Sequence, residues 1–160
     1  MNDFNALLTR VRYCTICAVD LPLGPRPIVR GTPDAKLLLI GQAPGTRVHE
    51  SGVPWNDPSG ERLRDWLQMT SDDFYDESKI ANVPMGFCYS GADAKGGDKQ
   101  PHPKCAPEWH PPLACWFAEC RIDDLDRTVR AETLSRKTKN PWFAVEVLPM
   151  LRERVAGLFG

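Results

Sequence analysis

The stretch LLLIGQAPGTRVHESGVPWNDPSGERLRDWL, residues 37–67, begins as an apolar run, turns at a glycine and ends in an amphipathic pattern. The run Leu37–Ile40 is bounded by turn residues, which is typical of a central parallel strand buried on both faces. Asp57 followed by Pro58 predicts a helix start, because aspartate caps a helix and proline suits its first position. Strand, loop and helix together predict an α/β fold with a ligand site where the strand ends.

The residues on either side of this stretch predict further regular elements. Asp3 is the N-cap of a predicted first helix that ends near Tyr13, with apolar residues at helical spacing. Residues 20–34 are rich in proline and glycine and predict an extended loop. Ile80–Val83 is predicted as a second strand. The buried stripe of the helix after Asp57 is expected to consist of Leu63, Trp66 and Leu67.

The second half of the chain is less regular. Residues 84–112 carry many polar, glycine and proline residues, which predicts a long ordered loop held in place by something other than a core. Pro112–Glu119 is a candidate short helix, and Ile122–Leu134 has a weakly helical pattern. A final helix is expected to start at Asn140–Pro141 and to kink near Pro149.

Composition limits the functions open to the chain. With 160 residues and no internal repeats, residues 1–160 are predicted to form a single domain, expected to be monomeric. A formal charge of -1 provides no overall positive field. A DNA partner would therefore be held by local clusters of lysine and arginine and by backbone amides. No apolar run approaches the ~20 residues of a membrane helix, and the N-terminus lacks a secretory pattern. We therefore expect a cytoplasmic protein, without a membrane partner, whose cysteines are reduced.

Four of the six cysteines have the spacing of metal ligands. Cys14 and Cys17 are separated by two residues, and Cys88 and Cys105 follow as a second pair separated by 16 residues. Soft thiolate donors favour an iron-sulfur cluster or zinc, and spacing alone does not choose between them. Such a centre would anchor the loop over 84–112. The alternative is that Cys88 and Cys105 are ordinary buried residues. Cys115 and Cys120 are interpreted as buried structural thiols.

The loop after the first strand carries candidate binding and catalytic groups. Gly41 and Gly45 allow backbone N–H groups to approach a planar base or a phosphate, and Gln42 can orient a water or bind an imide edge. His49 and Glu50 are candidates for acid-base chemistry, and Trp55 offers a face on which a nucleobase can stack. Each residue taken singly also has an ordinary structural interpretation.

Several motifs occur together in one order. They are GQAPG at Gly41–Gly45, GVPW at Gly52–Trp55, SGERL at Ser59–Leu63 and NPWF at Asn140–Phe143. With the four cysteines, they resemble the uracil-DNA glycosylase superfamily, in particular its bacterial iron-sulfur branch related to family 4. The combination is much more specific than any single motif.

The resemblance implies a fold, a cofactor and a mechanism. The fold is a three-layer α/β/α arrangement with a short central parallel sheet. The cofactor is a 4Fe-4S cluster on Cys14, Cys17, Cys88 and Cys105. In the implied mechanism, uracil is flipped out of DNA and stacked on Trp55, and Asn82 recognises the pyrimidine edge. The pocket and its water would be organised by Gly41, Gln42, Ala43, Pro44 and Gly45.

The chain departs from the family pattern after Cys105. Only 34 residues separate Cys105 from Asn140, where the family has a further strand and a His-Pro-Ser-type loop that supplies a catalytic donor. The last histidine is His110, outside such a motif. We expect a deletion here and a sheet that lacks one strand. Loss of an oxyanion-type donor costs on the order of 10²–10³ in rate.

Three functional hypotheses follow. In the first, the chain is an active DNA N-glycosylase in base excision repair, with Gln42, His49 or Glu50 replacing the missing group. In the second, it is an iron-sulfur protein that binds a nucleobase or single-stranded DNA without cleavage. Its candidate basic residues are Lys95, Lys99, Lys104, Arg136, Lys137 and Lys139. In the third, zinc holds a domain whose glycine loop binds a nucleotide.

Overall fold

The computed structural model describes residues 3–117 and 144–147. Five helices and three strands lie in these ranges, together with a short 3₁₀ helix at Ala18–Asp20. Within the described residues, no helix is both long enough and apolar enough to cross a bilayer. The helices are α1 (Asp3–Arg12), α2 (Thr46–Ser51), α3 (Pro58–Leu67), α4 (Ser71–Tyr75) and α5 (Cys105–Phe117), and the strands are β1 (Leu37–Ile40), β2 (Ile80–Asn82) and β3 (Ala144–Val147).

The three strands form one mixed sheet in the order β2-β1-β3. β1 and β2 are parallel, with Leu37 opposite Ile80 and Leu39 opposite Asn82. β3 runs antiparallel along the other edge of β1. The apolar run at 37–40 is therefore the central strand among the described residues, as its composition predicts. Its carboxyl end lies beside the carboxyl end of β2, which is where an α/β sheet offers a ligand site.

Successive residues of the central strand face opposite layers of helices. Leu38 belongs to an apolar cluster with residues of α1 and α5, whereas Leu39 belongs to a second cluster with residues of α3 and α4. This division follows from the alternation of side chains along a strand. The α/β fold class with helices on both faces of the sheet is confirmed. The expected loss of a strand concerns residues 118–143, which lie outside the described residues.

Two predicted elements differ in the structure. The loop over 84–112 ends earlier than predicted, because α5 begins at Cys105 and includes Pro111 and Pro112. Its Trp109 and Leu113, four residues apart, are both buried against α1, and this packing outweighs the prolines. The prediction of a final helix is wrong over residues 144–147, which form a strand that pairs with β1. The other residues of that helix, the segment at Ile122–Leu134 and Cys120 lie outside the described residues.

Candidate functional site

The loop that follows β1 is fixed by hydrogen bonds to the segment that follows β2. The amide of Met85 donates to the carbonyl oxygen of Gly41 (2.8 Å), and the amide of Gly86 donates to that of Gln42 (2.9 Å). The Gln42 side chain donates from Nε2 to the carbonyl oxygen of Lys99 (3.1 Å). The 41–45 loop is therefore held between two other segments before any ligand binds.

Trp55 lies directly against this loop. Its backbone has a left-handed φ of 59°, and its ring is so close to Gly41 that a Cβ there would be 3.0 Å from Trp55 Cζ2. The Trp55 carbonyl group packs on Gly60 in the first turn of α3, where a Cβ would collide with it. Asp57 caps this helix by accepting from the Gly60 amide (2.8 Å). The GQAPG, GVPW and SGERL motifs thus pack together, with Gly41 and Gly60 leaving space for Trp55.

Asn82 at the end of β2 connects the tryptophan to the sheet. Its side chain is buried, with 6% of the residue exposed, and its backbone pairs with Arg30. Trp55 Nε1–H donates to Asn82 Oδ1 at 2.8 Å. Both residues, together with Gly41, Gln42, Ala43, Pro44 and Gly45, border one cavity of about 270 Å³. The structure therefore brings together every residue that the sequence proposes for binding the base.

Two further carboxylates, not predicted from the sequence, also border this cavity. They are Asp57, seen in the sequence only as a helix cap, and Asp98, in the loop before α5. A Cβ placed on Gly45 would be 3.5 Å from Asp98 Oδ2, so this carboxylate lies beside the glycine loop. Burial, and then the negative charge of Asp57, raise the pKa of Asp98 above its usual value. No sequence pattern points to Asp98, because a loop distant in sequence carries it to the pocket.

The three candidate catalytic residues lie in different surroundings. Gln42 borders the cavity, whereas His49 and Glu50 lie on α2 and are not among the described residues that border it. His49 is 8% exposed, packs near the Tyr89 ring, and its Nδ1 has no hydrogen-bond partner among the described residues. Burial, and then the charge of Arg26, lower its pKa, which favours the neutral imidazole. The Glu50 side chain is exposed.

A second cavity lies among the four cysteines of the metal-ligand pattern. All four cysteines border this one cavity, although they lie far apart along the chain. Cys14 and Cys17 follow α1, Cys88 lies in the segment after β2, and Cys105 is the first residue of α5. His102 borders it too, with Nδ1 3.1 Å from Cys17 Sγ and Nε2 3.1 Å from an Asp20 carboxylate oxygen. Cys115 lies half-buried on α5 and does not border it in the part of the chain described.

N–H groups point at the sulfur atoms of this cavity. The Phe87 amide donates to Cys105 Sγ and the Trp109 indole to Cys14 Sγ, both at 3.3 Å. The backbone of Arg26 makes a hydrogen bond to Cys88. Such donors stabilise a negatively charged sulfur, and in iron-sulfur proteins they help to set the reduction potential. The chemistry of the cavity wall therefore suits thiolate ligands. Across residues 3–117 and 144–147, no three His, Cys, Asp or Glu side chains meet closely enough to hold a metal ion.

The two sites fall largely within one region of similarity to known proteins. A family model described as the Uracil DNA glycosylase superfamily matches residues 28–151. The chain belongs to this superfamily. The match spans both parallel strands, the whole cavity at Trp55, and Cys88 and Cys105, whereas Cys14 and Cys17 precede it. Membership in the uracil DNA glycosylase superfamily points to glycosylase-like chemistry with DNA as the partner.

Burial of the thiols predicts how the metal-free protein responds to alkaline pH. Burial raises the pKa of Cys88 and of Cys105 from 9.0 to about 11. Between these values the unfolded chain loses protons that the folded chain keeps, so the free energy of unfolding falls as pH rises from 9 to 11. Urea midpoints of chelator-treated protein at a series of pH values measure this fall. A Cys88→Ala/Cys105→Ala variant corrects for other groups, and an identical pH dependence in that variant would contradict the prediction.

Proposed function

We propose that this member of the superfamily is a uracil-DNA glycosylase of the bacterial iron-sulfur branch related to family 4. It would hydrolyse the N-glycosidic bond of uracil, the product of cytosine deamination, in base excision repair. The observation that carries the proposal is that Trp55, Asn82 and the 41–45 loop border one cavity. The proposed partner is uracil-containing DNA, and the proposed state is a cytoplasmic monomer.

The cavity has the size and the groups to hold one nucleobase. Its volume of about 270 Å³ lies just below the range of small-molecule sites, which starts at about 300 Å³, and a single base is smaller than most such ligands. Stacking of a flipped base on the Trp55 ring would contribute about 1–3 kcal/mol. The carboxamide of Asn82 has both a donor and an acceptor, which match the O4 and N3–H groups of uracil. These interactions support binding of a base that has left the duplex stack.

Hydrolysis requires a leaving base and an activated water. The bond between sugar C1′ and uracil N1 breaks, and its electron pair leaves with the base. Water then bonds through its oxygen to C1′ and loses a proton. Gln42 is proposed to orient this water from the cavity wall, and Asp98, whose raised pKa suits a proton acceptor, to take the proton. The Asp98 carboxylate would also stabilise positive charge on the sugar. Because of their positions, His49 and Glu50 are weaker candidates for this role.

Cys14, Cys17, Cys88 and Cys105 are proposed to hold a 4Fe-4S cluster, with zinc as the alternative. Four thiols on one cavity wall, with N–H donors directed at them, fit a thiolate-ligated centre. When bound, the centre supplies covalent links between segments that are far apart in sequence. The cysteines would then fix the segment between Cys88 and Cys105, which includes Asp98 and Lys99 beside the base cavity. A brown colour and iron in anaerobically purified protein would support the cluster, and colourless protein with zinc would support the alternative.

A non-cleaving protein that binds a nucleobase or single-stranded DNA is the second candidate function. The observation that favours it is that His49 and Glu50 do not border the cavity, in a chain whose sequence lacks the His-Pro-Ser motif. Lys95, Lys99 and Lys104 are exposed and available to phosphates, whereas Arg136, Lys137 and Lys139 lie outside the described residues. Salt-sensitive binding to single-stranded DNA without base release would identify this function.

Asn82→Ala is expected to lower the rate of uracil excision about 10²-fold, because the pocket loses the groups that hold the base. Asp98→Asn is expected to lower it by a similar factor, through loss of the proton acceptor. Single-turnover incubation with a uracil-containing oligonucleotide, followed by alkali, measures strand scission. Glu61→Gln, an exposed change on α3, serves as the control. Absence of scission by folded, metal-loaded parent protein on both single- and double-stranded DNA would overturn the proposal.

A further inference from the structure

The hydrogen bond between Trp55 and Asn82 fixes the orientation of a buried carboxamide. An indole Nε1–H is only a donor, so the atom that it contacts at 2.8 Å must be the amide oxygen. A flipped amide would place an NH₂ group against that N–H, and two donors would then face each other. The flipped orientation would therefore cost the hydrogen bond between the indole N–H and the amide oxygen. The nitrogen Nδ2 is thereby kept on the opposite side of the carboxamide.

The ring that makes this bond is itself held in place. Arg64 Nη1 donates to the Trp55 carbonyl oxygen (3.3 Å), and the Tyr75 hydroxyl donates to the Pro54 carbonyl oxygen (3.1 Å). The ring also lies close to Gly41 and the Trp55 carbonyl group lies close to Gly60, where a Cβ would contact or collide with them. The indole N–H is therefore directed at Asn82 before a base enters.

We propose that Trp55 determines specificity for uracil over cytosine by positioning the Asn82 carboxamide, an inference that rests on the proposed function. Uracil presents N3–H as a donor and O4 as an acceptor, so it pairs with Oδ1 and Nδ2 in the fixed orientation. Cytosine presents N3 as an acceptor and its amino group as a donor, so it requires the flipped amide. Thymine has the same imide edge as uracil, so hydrogen bonding to the Asn82 carboxamide does not distinguish those two bases.

Trp55→Phe tests the inference, because phenylalanine keeps an aromatic face but has no N–H. The probes are free uracil and free cytosine, titrated into the full-length protein and followed by NMR. We expect the preference for uracil over cytosine to fall about tenfold in this variant, since either amide orientation becomes available. Trp66→Phe is the matched control, because Trp66 is half-buried on α3 and packs in the same apolar cluster. It should keep the preference of the parent.

The outcomes separate this inference from the proposed function. If the parent binds neither base and excises no uracil, both fail. If the parent prefers uracil and Trp55→Phe, shown to be folded, keeps that preference, the positioning role alone is overturned. A second measurement is the indole N–H resonance of Trp55, identified by its loss in Trp55→Phe. In Asn82→Ala it should shift and exchange faster with solvent, and an unchanged resonance would also overturn the positioning role.

Discussion

Gly60→Ala should lower the free energy of unfolding by about 3 kcal/mol or more. A methyl group at this position would lie 2.6 Å from the carbonyl carbon of Trp55 and closer still to its oxygen. Both are backbone atoms, so the collision cannot be relieved by a side-chain rotation. The Trp55 backbone is also held by Arg64 and has a left-handed φ. Either the start of α3 or the Trp55 loop must move, and urea unfolding measures the cost.

Ser59→Ala is the control for this change. Ser59 is the neighbouring residue in the same helical turn, and its substitution removes only an exposed hydrogen bond to Asp57, so it should cost less than about 1 kcal/mol. Any Gly60→Ala protein that still folds should have a displaced tryptophan, which a shifted fluorescence spectrum would detect. A Gly60→Ala protein with the stability of the parent would show that the Trp55 loop is much less rigid than its contacts indicate.

Cys105→Ala should abolish stoichiometric metal binding and lower the unfolding midpoint by about 10 °C, corresponding to about 4 kcal/mol. Cys105 borders the cavity shared by the four cysteines and starts α5, so the substitution would remove one proposed ligand and the anchor at the start of this helix. Metal analysis, visible absorption and thermal unfolding of anaerobically purified protein measure the effect. An iron or zinc content equal to that of the parent would contradict the assignment of Cys105 as a ligand.

The same helix provides a matched control. Cys115 is also a half-buried thiol of α5, but it does not border the cavity in the described part of the chain. Cys115→Ala should therefore keep the parent's metal content and visible spectrum. If both variants lose metal equally, the effect belongs to the helix rather than to the ligand.

The features predicted correctly from the sequence depend on local signals. A short apolar run followed by glycine is sufficient to predict the strand at 37–40, and the Asp57–Pro58 pair predicts the start of α3, where the capping bond is observed. The cysteine spacing gave two pairs but could not show whether they meet. That depends on the packing of α5 against α1, which also buries Trp109 beside Cys14.

The remaining features depend on tertiary contacts that leave no pattern in sequence. Pro111 and Pro112 argue against a helix, yet the helix forms around them because Leu113 is buried in the core. Asp98 reaches the base cavity because Gln42 holds the neighbouring Lys99 carbonyl. His49 carries the side chain that most suggests catalysis, but α2 directs it toward Tyr89 instead.

The segment after β2 links the two cavities. The Gly86 amide donates to the Gln42 carbonyl oxygen in the wall of the base cavity, and Gly86 and its neighbour Phe87 also border the cysteine cavity. Gly86 therefore contacts a residue in the wall of the base cavity and also borders the cysteine cavity. A substitution that displaces this glycine from either side is therefore expected to disturb both cavities through a single peptide group.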